Sequence, residues 1–158
     1  MIQAITETNL EINIQTEDNR IDTSVASTQI RHLFKFTNDM DKSVQYAYAF
    51  IENIKARFTE ALFVYNSTTN LYSGRINFLP SGYWKYEVYE VSWIGTVTLN
   101  IGNAPATEDD VLSPAANDKG VVQGLVTKGK MNVSDKAGTG QVQYTQREAP
   151  TETNYIYY

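Results

Sequence analysis

Only one histidine occurs in the sequence, so a Ser-His-Asp triad or a histidine-ligated zinc site would have to use it. His32 stands in the run QIRHLFKFTN, in phase with Phe34 and Phe36. Alternation of this kind is typical of a strand with one buried face, so we expect His32 to be a packing residue with one hydrogen-bonded nitrogen. The chain contains no cysteine, which excludes a thiol nucleophile, a thiolate metal site and a disulfide framework.

The carboxylates offer no better catalytic arrangement. Glu87 and Glu90 could be proposed as the acid and base of a glycosidase, but residues three apart on a strand point to opposite faces. The acidic run Glu108, Asp109 and Asp110 could hold a hard cation, yet it lacks the spaced oxygen ligands and the closing glutamate of a calcium loop. We therefore predict no catalytic residue, no metal site and no cofactor, and expect a protein that is not an enzyme.

Two lysines flank a glycine in the segment KGK, Lys128 to Lys130. Lysines contact phosphates in phosphate-binding loops, but the glycine pattern of such a loop is missing, and a strand edge protected by lysine is the preferred interpretation. The net charge of −5 argues against a nucleic-acid partner, because such proteins usually show a basic face. No apolar segment is long enough to predict a membrane partner.

The hydrophobic spacing has period two far more often than 3.6, which predicts strands. The runs QIRHLFKFTN and VQYAYAF alternate on either side of the turn NDMDKS and predict a hairpin. In LPSGYWKYEVYEV, a turn leads into a strand with Trp84 and Val88 on one face. Tyr89 and Trp93 lie in the opposite phase, so we expect the far half of this strand to be covered on both sides, by another segment or by another molecule.

Eight to ten short strands separated by turn residues predict an all-β fold, with a β-sandwich favoured over a closed barrel. Residues 1–22 are acidic and contain one short strand-like run, Leu10 to Ile14, so they are predicted to form an extended N-terminal arm. A single sandwich domain would then span residues 23–158. Within it, residues 102–120 have no sustained periodicity and are predicted to form one long exposed loop.

The segment SGYWKYEVYEV resembles the F strand of immunoglobulin-like domains, in which a turn leads into an aromatic corner residue and then an inward-facing core residue. The resemblance implies that Trp84 takes the corner and Tyr86 the core position. A tryptophan stands where these domains usually have a tyrosine, and the cysteine pair is missing. In its Tyr/Asn/Thr-rich strands and its ending KGKMNV, VQYTQ and NYIYY, the chain is similar to small virion proteins of tailed bacteriophages, immunoglobulin-like proteins that decorate capsids or form parts of tails.

This similarity implies a non-enzymatic virion structural protein, a capsid decoration or cement protein made in the host cytoplasm. Its expected partners are the shell of the major capsid protein, other virion proteins or further copies of itself. The alternative is a carbohydrate-binding or adhesin module of a tail or fibre, in which Trp93 and several tyrosines stack on sugar rings. Because aromatic residues are enriched at interfaces and the acidic run would suit a basic patch, the expected partner-binding residues are Tyr89, Trp93, Glu108, Asp109, Asp110, Tyr155, Tyr157 and Tyr158.

Overall fold

The computed structural model describes residues 1–112 and 117–136, and within these ranges the chain forms nine β-strands and two single turns of 3-10 helix. No helix in the described ranges is long and apolar enough to cross a bilayer. The strands are β1 (Ile2–Ile5), β2 (Leu10–Ile14), β3 (Ile30–Asn38), β4 (Val44–Tyr48), β5 (Ile51–Ile54), β6 (Thr59–Tyr65), β7 (Arg75–Ile76), β8 (Gly82–Ser92) and β9 (Val121–Ser134). The helical turns are Glu17–Asn19 and Ser27–Gln29.

The strands form two sheets that pack face to face. The larger sheet has the order β1-β9-β8-β3-β4, and the smaller one has the order β2-β6-β5, with β7 beside β6. Neighbours are antiparallel except for β1 with β9 and β6 with β7, which are parallel. The prediction of an all-β sandwich is thereby confirmed, as is the hairpin of β3 and β4.

The main core lies between the sheets and is built on alternate residues of each strand. Phe34 and Phe36 point inward from β3 and are fully buried. Phe63 of β6 meets both rings edge-on, at centroid distances of 4.9 and 5.6 Å. Trp84 lies edge-on to Phe78 at 5.3 Å. Each such aromatic pair adds about 0.5–1.5 kcal/mol to the burial of apolar area, so these rings give the two sheets a specific mutual position.

The N-terminal segment belongs to the sandwich and does not form the arm predicted over residues 1–22. Strand β1 pairs in parallel with β9, and β2 pairs with β6. The three inward residues of β2 are at most 6% exposed, and burying one aliphatic side chain contributes about 1.5–3 kcal/mol. Both partner strands are distant in sequence, so a local pattern of five residues does not reveal the pairing.

The segment 94–112, here called the strap, packs across part of the outer face of the larger sheet. Leu33 of β3 and Val91 of β8 lie under it and are fully buried together with Trp93. Ala104 of the strap belongs to the same cluster and is 1% exposed. The second face of the far half of β8 is therefore covered by another segment of the same chain.

Two hydrogen bonds tie the strap to the residues beneath it. The Tyr48 hydroxyl donates to the Pro105 carbonyl at 2.5 Å, and Trp93 Nε1 donates to the Asn103 carbonyl at 3.3 Å. The prediction of one exposed loop over residues 102–120 is therefore wrong for its first part, since the apolar residues of the strap find partners on a sheet face that the sequence pattern does not locate. Residues 113–116 of that loop lie outside the described ranges.

Candidate interaction surface

The strap leaves part of the outer face of the larger sheet uncovered, and this part contains a groove of about 620 Å³. We call it the lysine groove. It is lined by Thr37 of β3, Lys85 to Glu87 of β8, and Lys128 to Lys130 of β9. The groove contains the ammonium groups of Lys85, Lys128 and Lys130 and the carboxylate of Glu87. This excess of positive charge attracts anionic groups.

Strand register brings these residues together. In the pairing of β8 with β9, Lys85 lies opposite Lys130 and Glu87 lies opposite Lys128. Tyr86 faces Gly129 between them, and a Cβ atom at residue 129 would lie 2.5 Å from the Tyr86 hydroxyl oxygen. Glycine is therefore required at residue 129, because a side chain there would collide with the Tyr86 ring.

The interpretation of KGK as a strand edge protected by lysine agrees with the strand pairing. Strand β9 lies between β1 and β8, but β1 pairs only with Met131 to Ser134, so no strand in the described ranges pairs with KGK on the side away from β8. Lys128 and Lys130 are exposed on the outer face of β9. Which residues share that face is not shown by the sequence, because it depends on the register with distant partner strands.

At the boundary between the lysine groove and the strap, Lys35 binds two carboxylates. Its Nζ lies 2.5 Å from Glu108 Oε1 and 3.7 Å from Glu87 Oε2. The hydrogen bond to Glu108 is the main reason why the pKa of Lys35 is raised. Burial opposes the charge of Glu108, but hydrogen bonds from Lys35 and Tyr46 outweigh it and lower the pKa of that carboxyl. Burial, followed by the bond to Glu108, raises the pKa of Tyr46 to about 12.

A group of exposed apolar residues, here called the tip patch, adjoins the groove at the start of β8. It consists of Met40, Leu79 and Tyr83, which are 82%, 58% and 60% exposed. Tyr83 precedes Lys85 by two residues on the same strand and so lies on the same outer face. The backbone N–H of Asp39 donates to the Tyr83 carbonyl at 2.9 Å, which joins the turn after β3 to the start of β8.

Asn38 braces the tip patch from inside. It is fully buried, and its Nδ2 donates to the Pro80 carbonyl at 3.3 Å. Its Oδ1 accepts from the backbone N–H groups of Met40 and Asp41 at 2.8 and 3.1 Å. Trp84 Nε1 donates to the same Pro80 carbonyl at 3.0 Å. The exposed apolar residues thus lie on hydrogen-bonded backbone, Met40 and Leu79 in loops and Tyr83 at the start of β8.

A second groove, of about 540 Å³, lies where the strap meets residues 70–73; we call it the Tyr72 groove. The ring of Tyr72 stacks on that of Tyr48, with centroids 6.3 Å apart and an interplanar angle of 15°. Ser73 Oγ is buried and has no hydrogen-bond partner in the described part of the chain. The groove is lined by Asn70, Tyr72, Ser73, Leu99, Asn100 and Ile101.

His32 lies in a buried polar cluster near the far end of β8. It is 2% exposed, and its Nδ1 lies 3.2 Å from Glu52 Oε1 of the opposite sheet. Arg31 Nε lies 3.2 Å from the other oxygen of Glu52. Glu90, opposite His32 in the register, accepts from the backbone N–H of Asp22 at 2.8 Å. The cluster holds the sheets and the 17–29 connection together, which agrees with the expected packing role of His32.

Glu87 and Glu90 point to opposite faces, as the spacing predicts: Glu87 lines the lysine groove, whereas Glu90 is 1% exposed inside the sandwich. In residues 1–112 and 117–136, no three carboxylate or histidine side chains are grouped closely enough to hold a metal ion.

The five predicted partner-binding residues within the described ranges lie on the strap or packed against it. Trp93 is fully buried under the strap and Tyr89 is partly buried beside it. Glu108 is bound to Lys35, and Asp110 accepts from the backbone N–H of Ala106 at 3.0 Å. Asp109 is exposed. Tyr155, Tyr157 and Tyr158 lie outside the described residues.

The fold defines the protein as a two-sheet all-β sandwich. The strap covers one part of the outer face of the larger sheet, and the other part is open. Comparison with protein families, curated proteins and solved structures returned no match.

Proposed function

We propose that this protein is a non-enzymatic structural protein of a tailed-bacteriophage virion, an immunoglobulin-like decoration or cement subunit that binds the shell of the major capsid protein. The tip patch carries the proposal. Three large apolar side chains that are mostly exposed on hydrogen-bonded backbone are suited to be buried by a partner protein. Further copies of the chain, bound to the same shell, would be neighbours of each bound subunit.

The strand order supports the immunoglobulin-like type. Strands β3, β8 and β9 would correspond to C, F and G, with β4 added beside C, and β2, β6 and β5 to B, E and D. The bond from Trp84 Nε1 to the Pro80 carbonyl resembles the one that a corner tyrosine makes to backbone a few residues upstream. Tyr86 packs against the main core, as the F-strand resemblance implies.

Binding to purified, undecorated shells tests the proposal. The wild-type protein should saturate symmetry-related sites visible by electron microscopy. Met40→Ser with Tyr83→Ser should weaken binding at least about tenfold, because interface anchors of this kind contribute 2 kcal/mol or more. Ile101→Ser is the matched control, since Ile101 is 86% exposed but lies on the strap, outside the tip patch. Saturation by the double variant at wild-type concentrations, or no binding of the wild type to any virion component, would refute the proposal.

The Tyr72 groove favours a carbohydrate-binding module as the second candidate. Trp93 is buried and cannot provide the stacking platform, but Tyr72 has a ring beside two asparagines and the unpartnered Ser73 hydroxyl. Aromatic rings with a few polar groups are typical of such sites. Specific retention on a polysaccharide column that Tyr72→Ala abolishes and Tyr83→Ala leaves unchanged would favour this function; equal retention of both variants would exclude the groove.

A further inference from the structure

The lysine groove has an unfavourable distribution of charge in the isolated protein. Lys85 and Lys130 are directly opposite on adjacent strands, where side-chain Cβ atoms are about 4.5–5.5 Å apart and like charges destabilise the sheet. Lys128 lies two residues from Lys130 on the same face, about 6.8 Å along the strand. Three positive charges therefore occupy one small area of a protein whose net charge is −5.

Carboxylates of the chain neutralise this area incompletely. Asp39 lies 3.6 Å from the Lys85 ammonium, and Glu87 lies 3.7 Å from Lys35. No carboxylate in residues 1–112 and 117–136 lies within ion-pair distance of Lys128 or Lys130. Within the described ranges, Lys128 and Lys130 therefore have no carboxylate partner, and Lys85 lies beside them.

The spacing of the lysines fits an extended polypeptide. In an extended chain, alternate side chains point to one side about 6.8 Å apart, which is the spacing of Lys128 and Lys130. A long polyanion such as a nucleic acid would meet the repulsion of the whole acidic molecule, whereas a short acidic segment would meet mainly the local lysines.

We propose that the lysine groove binds an extended acidic segment of a partner protein that carries carboxylates at alternate residues. The identification of that partner as a shell protein rests on the proposed function; the charge and spacing of the segment rest on the groove. The tip patch would contribute the apolar part of the same interface, because Tyr83 and Lys85 share a face of β8.

The direct test measures fluorescence anisotropy with two labelled peptides of equal composition. One has glutamate and threonine at alternate positions, and the other has all its glutamates in one block. The alternating peptide should bind at least about threefold more tightly. Lys128→Gln and Lys130→Gln should each weaken its binding by about threefold, in the range expected for exposed ion pairs. Lys55→Gln is the matched control, because Lys55 is also exposed but pairs with Glu60 on the other sheet.

Thermal unfolding gives a second measurement. If Lys130 stabilised the folded protein, its replacement would lower the melting temperature. Removing the repulsion between Lys85 and Lys130 should raise the melting temperature of Lys130→Gln by about 1–3 °C at low salt while peptide binding falls. Equal affinity for both peptides, an equal effect of Lys55→Gln on binding, or a lower melting temperature for Lys130→Gln would each overturn the proposal.

Shell binding separates this inference from the proposed function. If the wild type binds shells and the triple variant Lys85→Gln/Lys128→Gln/Lys130→Gln binds them equally well, the groove inference fails and the decoration function stands. If the wild type binds no shell but prefers the alternating peptide, the decoration function fails and the groove inference stands.

Discussion

Asn38 is a residue whose polar side chain stabilises the surface proposed to bind the partner. Asn38→Ala removes a donor to Pro80 and an acceptor for two backbone N–H groups inside the protein. The free energy of unfolding should fall by about 1–3 kcal/mol, the cost of leaving buried polar groups without partners. Urea unfolding measures this.

Asn66→Ala is the control, because Asn66 Oδ1 accepts a single exposed hydrogen bond, from the backbone N–H of Thr68. It should change stability by less than about 1 kcal/mol. Equal effects of the two substitutions would show that the brace at Asn38 contributes nothing beyond a local turn.

Gly74 is required for a close approach between two segments of backbone. Its φ is +65°, and a Cβ atom there would lie 2.2 Å from the backbone nitrogen of Phe50. Gly74→Ala should therefore destabilise the protein by more than about 2 kcal/mol, because the strained φ alone costs about 1–2 kcal/mol and the neighbouring backbone must move as well.

Gly102→Ala separates these two causes. Gly102 also has a positive φ, of +87°, but nothing lies within 4 Å of its added Cβ atom. This substitution should cost about 1–2 kcal/mol. Differential scanning calorimetry of both variants tests the difference, and equal melting temperatures would mean that the contact with Phe50 relaxes freely.

The strap is an element whose attachment depends on pH. Because the pKa of Glu108 is lowered in the folded protein, its ionised form contributes stability above the ordinary glutamate value of 4.5, and that stability is lost as pH falls through the folded pKa. As pH falls through the folded pKa of Glu108, we expect the strap to loosen. Trp93 lies beneath it, so the tryptophan emission should shift to longer wavelength.

Glu108→Gln supplies the comparison for this titration. It removes the charge that holds Lys35, so the strap should already be weaker at pH 7 and the acid-induced change in emission should be smaller. An unchanged titration in this variant would assign the acid response to another carboxylate.

Strands that pair with a neighbour in the sequence were predictable, and strands whose partners are far away in the sequence were not. The hairpin of β3 and β4 and the two-sided coverage of the far half of β8 follow from alternation within one or two runs. Gly124 and Gly129 do not end β9, which is one strand of 14 residues. Gly124 gives room to the Ile21 side chain and Gly129 to the Tyr86 ring, contacts that depend on the folded chain.

The candidate surface was less predictable than the fold for the same reason. Lys85 and Lys130 become neighbours only through the register of β8 with β9, and Met40 and Tyr83 through a bond between the turn after β3 and the start of β8. Sequence composition indicated many aromatic residues available for an interface, but Trp93 packs under the strap. Exposure depends on which segment covers which sheet face.

For the whole molecule, the N-terminal strands are part of the cooperative unit. Deleting residues 1–14 removes β1 and β2, including three buried aliphatic residues of β2. Their burial contributes roughly 5–9 kcal/mol, which approaches the 5–15 kcal/mol stability of a typical domain. The truncated protein should lack cooperative thermal unfolding by circular dichroism.

Ile12→Ala is the milder variant for the case that the truncated protein cannot be purified. It should lower the free energy of unfolding by about 2–5 kcal/mol, since Ile12 is 4% exposed. A truncated protein that unfolds cooperatively within a few degrees of the full chain would instead mean that the segment is a dispensable arm.

The parallel pairing of β1 with β9 also sets an order of events during synthesis. Ile2 pairs with Met131 and Ile5 with Ser134, so β1 has no partner until nearly all of the described chain has left the ribosome. At about 5–20 residues per second, that wait is on the order of ten seconds, during which the edge of β1 is open to wrong partners. Among the nine described strands, β1 is thus synthesised before the others but paired among the last.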